Sequence, residues 1–222
     1  MDALPFTAQL INVFAAVLLL LSFAMLAQRR ILSLVDLLAW QGAALVGSTL
    51  AVAYSTGQQH LYYSAALTLA LKVILVPLVL HRLIRRLAVR WDTEPLLNIP
   101  ATMIVGPALV VFSFGLAQPI SALASTVTRS TLGIAIAVVM LSFLMMITRR
   151  KAISQVIGFL AMENGLFFAA TSATYGMPMV VELGVALDVL VGVVILGIFF
   201  FQIREQFDSL DLHHLESLKE DQ

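Results

Sequence analysis

The 222-residue chain contains no cysteine and few charged residues, and each shortage excludes a class of protein. Without cysteine it can neither hold an iron–sulfur cluster through thiolates nor form a disulfide. Its four histidines show no metal-ligand spacing within one segment. Charged residues make up 12% of the chain, roughly half the share usual in soluble domains. The 13 basic residues balance the 13 acidic ones, which argues against nucleic-acid binding. Any redox chemistry therefore belongs to a partner.

Long apolar runs occupy the sequence between the charges, and 60% of all residues are hydrophobic. A helix needs about 20 apolar residues to cross a bilayer. The runs are too long for strands and do not alternate between polar and apolar residues, which excludes a β-barrel. The sequence predicts an all-α, polytopic membrane protein with seven transmembrane helices, at residues 7–27, 32–53, 61–80, 99–117, 132–148, 153–174 and 180–202.

The basic residues indicate how these spans are oriented. Only Arg129 falls in a loop on the opposite side and Lys72 lies within a span, so 11 of the 13 basic residues share one side of the membrane. Basic residues concentrate on the cytoplasmic side, which predicts an N-terminus outside and a cytoplasmic C-terminus. Residues 82–95 are predicted to form a short interfacial connection, and residues 206–222 a cytoplasmic amphipathic tail that docks on a partner.

Spans one to three resemble spans five to seven. Residues 28–31 and 148–151 both close a span with paired arginines, and residues 70–73 resemble residues 186–189 in the last span of each unit. Because one extra span separates the units, both cross the membrane in the same direction. The sequence predicts a first three-helix repeat (1–90), a linking span with its loops (91–129), a second parallel three-helix repeat (130–205) and the tail (206–222). Apolar composition alone is the alternative explanation of part of this match.

Three ionisable residues, Lys72, Glu163 and Asp188, lie near the middle of predicted spans. Each opposes insertion by about 3 kcal/mol at such a depth, a burden that usually marks a proton or ion path. In a low-dielectric bundle such groups come closer to exchanging protons at physiological pH. We predict proton transfer through Glu163, Asp188 and Lys72, with Glu182, near the outer end of the last span, as an entrance.

Each of these residues also has a structural interpretation. Lys72 and Asp188 could each instead form an ion pair with a neighbouring subunit. Glu163 could instead be a neutral, hydrogen-bonded acid, and Glu182 a charge at the membrane interface. Asn164 is predicted to support the site through hydrogen bonds between helices, and Gly158 and Gly165 to allow close helix packing. Asp36, near the inner end of the second span, is predicted to be a supporting, salt-bridged anchor.

Four segments together carry a resemblance to a known family: residues 72–78, 158–165, 181–188 and 210–212. The chain resembles component E of hydrogenase-4. The resemblance implies a membrane subunit, not an enzyme by itself, of a group 4 nickel–iron hydrogenase or formate hydrogenlyase-type complex in a bacterial or archaeal cytoplasmic (inner) membrane. It implies no cofactor in this chain. The nickel–iron centre and iron–sulfur clusters are expected in peripheral partner subunits, beside antiporter-like and quinone-chamber-like membrane subunits.

The last three spans also resemble the K-type subunit of respiratory complex I and the C-type subunit of multi-subunit sodium/proton antiporters. Asp188 matches the second glutamate of that pattern, whereas the first falls near Leu160, one helical turn before Glu163. The resemblance implies proton translocation coupled to electron transfer in partner subunits. A membrane scaffold that anchors antiporter-like subunits, without its own proton path, is the alternative function.

Overall fold

The computed structural model describes residues 6–87, 99–121, 126–149 and 151–174, together with residues 192 and 197. Within these ranges every regular element is a helix, and none is a strand. The elements are α1 (Phe6–Ala27), α2 (Ile31–Thr56), α3 (His60–Thr68), a π-helical segment (Leu69–Leu75), α4 (Val76–Leu87), α5 (Ile99–Ser121), α6 (Thr126–Thr148) and α7 (Ala152–Thr174).

Six of the predicted spans are confirmed, because six helices in the described ranges are long and apolar enough to cross a membrane. One of them combines α3, the π-helical segment and the first part of α4, from His60 to Arg85. Since α4 ends only at Leu87, the first part of the predicted connection at residues 82–95 is instead a continuation of the helix. Arginine is a good helix former, which explains the extension. Apart from residues 192 and 197, the seventh span and the tail lie outside the described residues, and the repeat stays a prediction.

Two helical hairpins form the centre of the bundle. The hairpin α1–α2 packs beside the hairpin α6–α7, so that α1 contacts α6 and α2 contacts α7. The helix formed by α3, the π-helical segment and α4 packs on α2, while α5 packs on α6 and α1. The turn after α2 uses Gly57, whose φ of 68° is left-handed and whose N–H caps the helix by donating to Ala53 O.

One end of the bundle, where α1 and α6 finish and α2 and α7 begin, carries most of the basic residues of the described ranges, and we name it the basic end. There Arg149 is 2% exposed. Its Nη2 donates to the carbonyl oxygens of Met25, Leu26 and Gln28 at 3.3, 3.0 and 2.6 Å. A cation at the last carbonyls of a helix is also stabilised by the negative end of the helix dipole. Arg149 therefore ties the end of α6 to the end of α1.

The interface between α6 and α7 depends on glycine. A Cβ atom built on Gly158 would lie 2.8 Å from Met146 Cγ, and one on Gly165 would lie 2.9 Å from Val138 Cγ1. Neither distance accommodates a side chain, so the predicted role of both glycines in close helix packing is confirmed.

Buried apolar side chains form two clusters at different depths. The cluster nearer the basic end includes Leu38, Val76 and Leu160, and the other includes Leu45 and Phe168. Three polar residues, Gln41, Lys72 and Glu163, lie on three different helices. On each helix the polar residue falls, in sequence order, between residues of the one cluster and residues of the other. The fold thus encloses a polar site at mid-depth between two apolar layers.

Candidate functional site: a buried ion pair at mid-depth

Lys72 and Glu163 form an ion pair in the middle of the bundle. The Nζ of Lys72 lies 2.6 Å from Glu163 Oε1, and the residues are 7% and 9% exposed. They are 91 positions apart in the sequence, on the π-helical segment and on α7. Buried charges are tolerated when they are paired and hydrogen-bonded, so each residue explains the presence of the other. In this structure the partner of Lys72 lies in its own chain.

The backbone widens where it carries Lys72. The π-helical segment Leu69–Leu75 has Lys72 at its centre, and the N–H of Val76 donates to the carbonyl oxygen of Leu71, five residues earlier. Pro77 follows directly, and a proline lacks an N–H and displaces the carbonyl four residues before it. π-helical turns are rare and occur frequently at functional sites. The wider turn lies just before Pro77 and carries the lysine.

A glycine of α2 lets the two helices approach at this level. A Cβ atom on Gly42 would lie 3.3 Å from Val73 Cγ2 and 3.5 Å from Lys72 Cβ. Lys72 Nζ also lies 4.8 Å from the centre of the Phe167 ring, within the range of a cation–π interaction. The ammonium group is thus held between a carboxylate and an aromatic face, in a site that α2 covers closely.

A chain of hydrogen bonds continues from Lys72 across three helices. Lys72 Nζ donates to Asn164 Oδ1 (3.1 Å), Asn164 Nδ2 donates to Gln41 Oε1 (3.2 Å), and Gln41 Nε2 donates to Ser22 Oγ (3.0 Å). Ser22 then donates to the carbonyl oxygen of Leu18 at 2.9 Å. Turning either amide over would break two hydrogen bonds at once. The chain therefore keeps an amide oxygen facing Lys72. Because amides do not readily give up protons, it positions Lys72 and offers no proton path of its own.

A small cavity touches the ion pair. Its volume is about 10 Å³, close to the smallest that holds a water molecule. It is lined by Leu38, Lys72, Val76, Leu160, Glu163 and Asn164. The ion pair therefore has one side against the fixed amide chain and another against a space the size of a water.

The structure brings together three of the predicted site residues, Lys72, Glu163 and Asn164. Asp36 lies apart from them, near the basic end, where its Oδ1 is 3.4 Å from His81 Nε2. Asp188 and Glu182 lie outside the described residues. Within the described ranges, no three histidine, aspartate or glutamate side chains converge as a metal site.

Sequence reasoning missed Gln41 and Ser22, which complete the hydrogen-bond chain. Gln41 is 0% exposed although its side chain is polar. A signal was available, because Gln41 is an amide within the apolar second span and precedes a glycine. Amide side chains in spanning helices commonly form hydrogen bonds between helices. Ser22 gave a weaker signal, since serines in such helices often bind only their own backbone.

Comparisons with known proteins identify relatives of this chain. A protein of Mycobacterium tuberculosis, "Uncharacterized protein Rv0085", is 33% identical over 212 residues, which cover 95% of this chain and 96% of that protein. "Hydrogenase-4 component E" of Escherichia coli is 28% identical over 163 residues, 73% of this chain and 74% of that protein. The protein of the same name from Shigella flexneri matches equally well. No family model and no solved structure matches the chain.

Proposed function

The chain belongs to the same protein family as Rv0085 of Mycobacterium tuberculosis, and on that premise we propose that it is a membrane subunit in which Lys72 and Glu163 transfer or gate protons. The similarity to hydrogenase-4 component E supports placing it in a hydrogenase-4 or formate hydrogenlyase-type complex. Electron transfer in partner subunits drives the protons. The chain itself is not an enzyme in this proposal and holds no cofactor.

One observation carries the proposal: a titratable ion pair lies at mid-depth, 2.6 Å across, against a cavity the size of a water. A carboxylate that exchanges a proton there changes the charge balance around the ammonium next to it. At a few ångströms in a medium of low dielectric constant, each charge acts strongly on the other. A change of charge in a partner subunit can thus cause Glu163 to bind or release a proton.

The remaining parts of the proposal concern the surroundings of this pair. Asp188 continues the path in the seventh span, and Glu182 is its entrance from outside. The protein lies in a bacterial or archaeal inner membrane with its C-terminus in the cytoplasm. Its last three spans have a counterpart in the K-type subunit of complex I and in the C-type antiporter subunit. Antiporter-like and quinone-chamber-like subunits adjoin the chain in the bilayer, and peripheral subunits hold the nickel–iron centre and iron–sulfur clusters.

The experiment compares Glu163→Gln with the wild-type complex. The chain is tagged, the complex is purified from its native membrane and reconstituted into vesicles, and proton transport is followed with an enclosed pH-sensitive dye during hydrogen turnover. We expect Glu163→Gln to assemble but to lower the number of protons moved per electron at least about 10-fold, because the amide cannot exchange a proton.

Thr171→Val is the matched control, since it is also a nearly isosteric change on α7. The hydroxyl of Thr171 is buried and donates to its own backbone at Phe167 O, so its loss should leave proton transport unchanged. An assembled Glu163→Gln complex with wild-type proton transport would contradict the proposal. Co-purified subunits that contain no nickel–iron protein would contradict the hydrogenase assignment.

A scaffold function is the second candidate, and the same ion pair favours it. The pair joins α7 to the π-helical segment, and such a link stabilises the bundle whether or not protons move. Under this alternative, Glu163→Gln reduces the amount of assembled complex on a native gel and leaves the protons moved per electron unchanged in what remains. An assembled but uncoupled complex excludes it.

A further inference from the structure

The cavity beside the ion pair lies on the side of the pair that faces the basic end. Its apolar lining residues are Leu38, Val76 and Leu160. Leu38 lies nearer the basic end than Gln41 does on α2, and Leu160 lies nearer it than Glu163 does on α7. Val76, at the start of α4, likewise lies nearer the basic end than Lys72. A proton that reaches Glu163 through this cavity therefore comes from the basic end, while the amide chain closes the side toward α1.

A second pair of titratable side chains lies farther along the same helices. His81 on α4 is 28% exposed in its side chain and Asp36 on α2 is 62% exposed. The Nε2 of His81 faces Asp36 Oδ1 at 3.4 Å, and its Nδ1 faces the carbonyl oxygen of Pro77 at 3.1 Å. Both facing atoms are acceptors, so a ring that carries a proton on each nitrogen satisfies both contacts. The two contacts therefore place an acceptor oxygen against each ring nitrogen of His81.

We propose that His81 and Asp36 form the proton-loading site for the Lys72–Glu163 pair, through the cavity bounded by Leu38, Val76 and Leu160. The inference rests on the proposed function. His81 is nine residues from Lys72, about 13 Å along a helix, which is too far for direct transfer. In this proposal one proton leaves the imidazolium of His81, passes along a chain of water molecules whose last member occupies the cavity, and is bound by the carboxylate of Glu163. The neutral ring then takes another proton from water at the basic end.

The test follows the protonation of Glu163 directly. In the purified complex, infrared difference spectroscopy detects the carboxyl stretch of protonated Glu163 after a rapid drop in pH, and its absence in Glu163→Gln identifies the band. We expect His81→Ala to slow the appearance of this band about 10- to 100-fold, the usual effect of losing a proton-transfer group. Added imidazole should restore the rate, and Asp36→Asn should slow it less.

Two further variants separate the loading site from the path. His60→Ala changes a histidine at the opposite end of the same spanning helix and should leave the rate unchanged. Leu160→Phe fills the cavity and should slow the rate without rescue by imidazole, because the barrier then lies beyond the loading site.

The outcomes distinguish this inference from the function on which it rests. If no band is lost in Glu163→Gln, the proposed function fails. If the band is present but appears at the wild-type rate in His81→Ala and Asp36→Asn, only the loading site is overturned. If neither His81→Ala nor His81→Gln assembles, the pair is a structural tie between α2 and α4, and the inference is also overturned.

Discussion

Two buried cations, Lys72 and Arg149, are held in different ways. Lys72 lies at mid-depth and is 7% exposed, whereas Arg149 lies at the basic end and is 2% exposed. Lys72 contacts side chains: a carboxylate, an amide oxygen and an aromatic ring. Arg149 donates to backbone carbonyl oxygens at the end of α1. The partners described for Lys72 include a carboxylate, which can change its charge, whereas the carbonyl oxygens that bind Arg149 cannot.

The difference separates a site able to take part in proton transfer from one that holds the fold. An arginine keeps its charge in proteins, and a backbone carbonyl does not titrate under physiological conditions. Glu163 can bind a proton, and a buried lysine can lose one. Burial alone is therefore a poor guide to function. The chemistry of the partner decides which of the two cations is a candidate for transport.

The largest expected effect comes from breaking the mid-depth pair on one side. Lys72→Met leaves Glu163 buried without its cation, which lowers the free energy of unfolding by about 3–5 kcal/mol. Adding Glu163→Gln removes the stranded charge and should recover part of that loss. Thermal unfolding of the complex in detergent measures both. Strictly additive losses in the double variant would show that the two side chains do not depend on each other.

A somewhat smaller effect is expected at the basic end, and it sharpens the comparison because stability and transport should separate. Arg149→Met removes the link to the carbonyls of α1 and lowers the free energy of unfolding by about 3 kcal/mol, the contribution of a charged hydrogen-bond donor. The protons moved per electron in the assembled fraction should stay at the wild-type value. An assembled but uncoupled Arg149→Met complex would erase the distinction between the two cations.

The smallest effect concerns the amide chain behind Lys72. Gln41→Leu leaves the NH₂ group of Asn164 without its acceptor, which costs about 1–2 kcal/mol of stability. Thr49→Val, on the same helix, is the control, because among the described residues the hydroxyl of Thr49 donates only to its own backbone at Leu45 O. Thr49→Val should change the free energy of unfolding by less than about 0.5 kcal/mol. Equal losses of unfolding free energy in both variants would mean that the hydrogen bond from Asn164 to Gln41 does not position Asn164.

Sequence reasoning recovered the six described spans and the depth of Lys72 and Glu163, but not that these two residues pair. The parallel repeat related Lys72 to Asp188, while the structure joins it to Glu163. The π-helical turn before Pro77 was not predicted, since the loss of a backbone hydrogen bond at a proline permits either a kink or a wider turn. Asp36 was expected to be salt-bridged, and its partner His81 had not been identified.

The sequence by itself determined that the chain is a helical membrane protein and which ionisable residues lie deep within it. Those properties follow from apolar length and from position within a run, and both are local. Only the tertiary structure decided that Glu163 faces Lys72, that Gln41 and Ser22 complete the hydrogen-bond chain, and that His81 meets Asp36. Helices that are apolar nearly all round carry no stripe that indicates which face meets a neighbour. Their rotation and depth are set by close contacts such as those at Gly42 and Gly165, which exist only once the helices are packed.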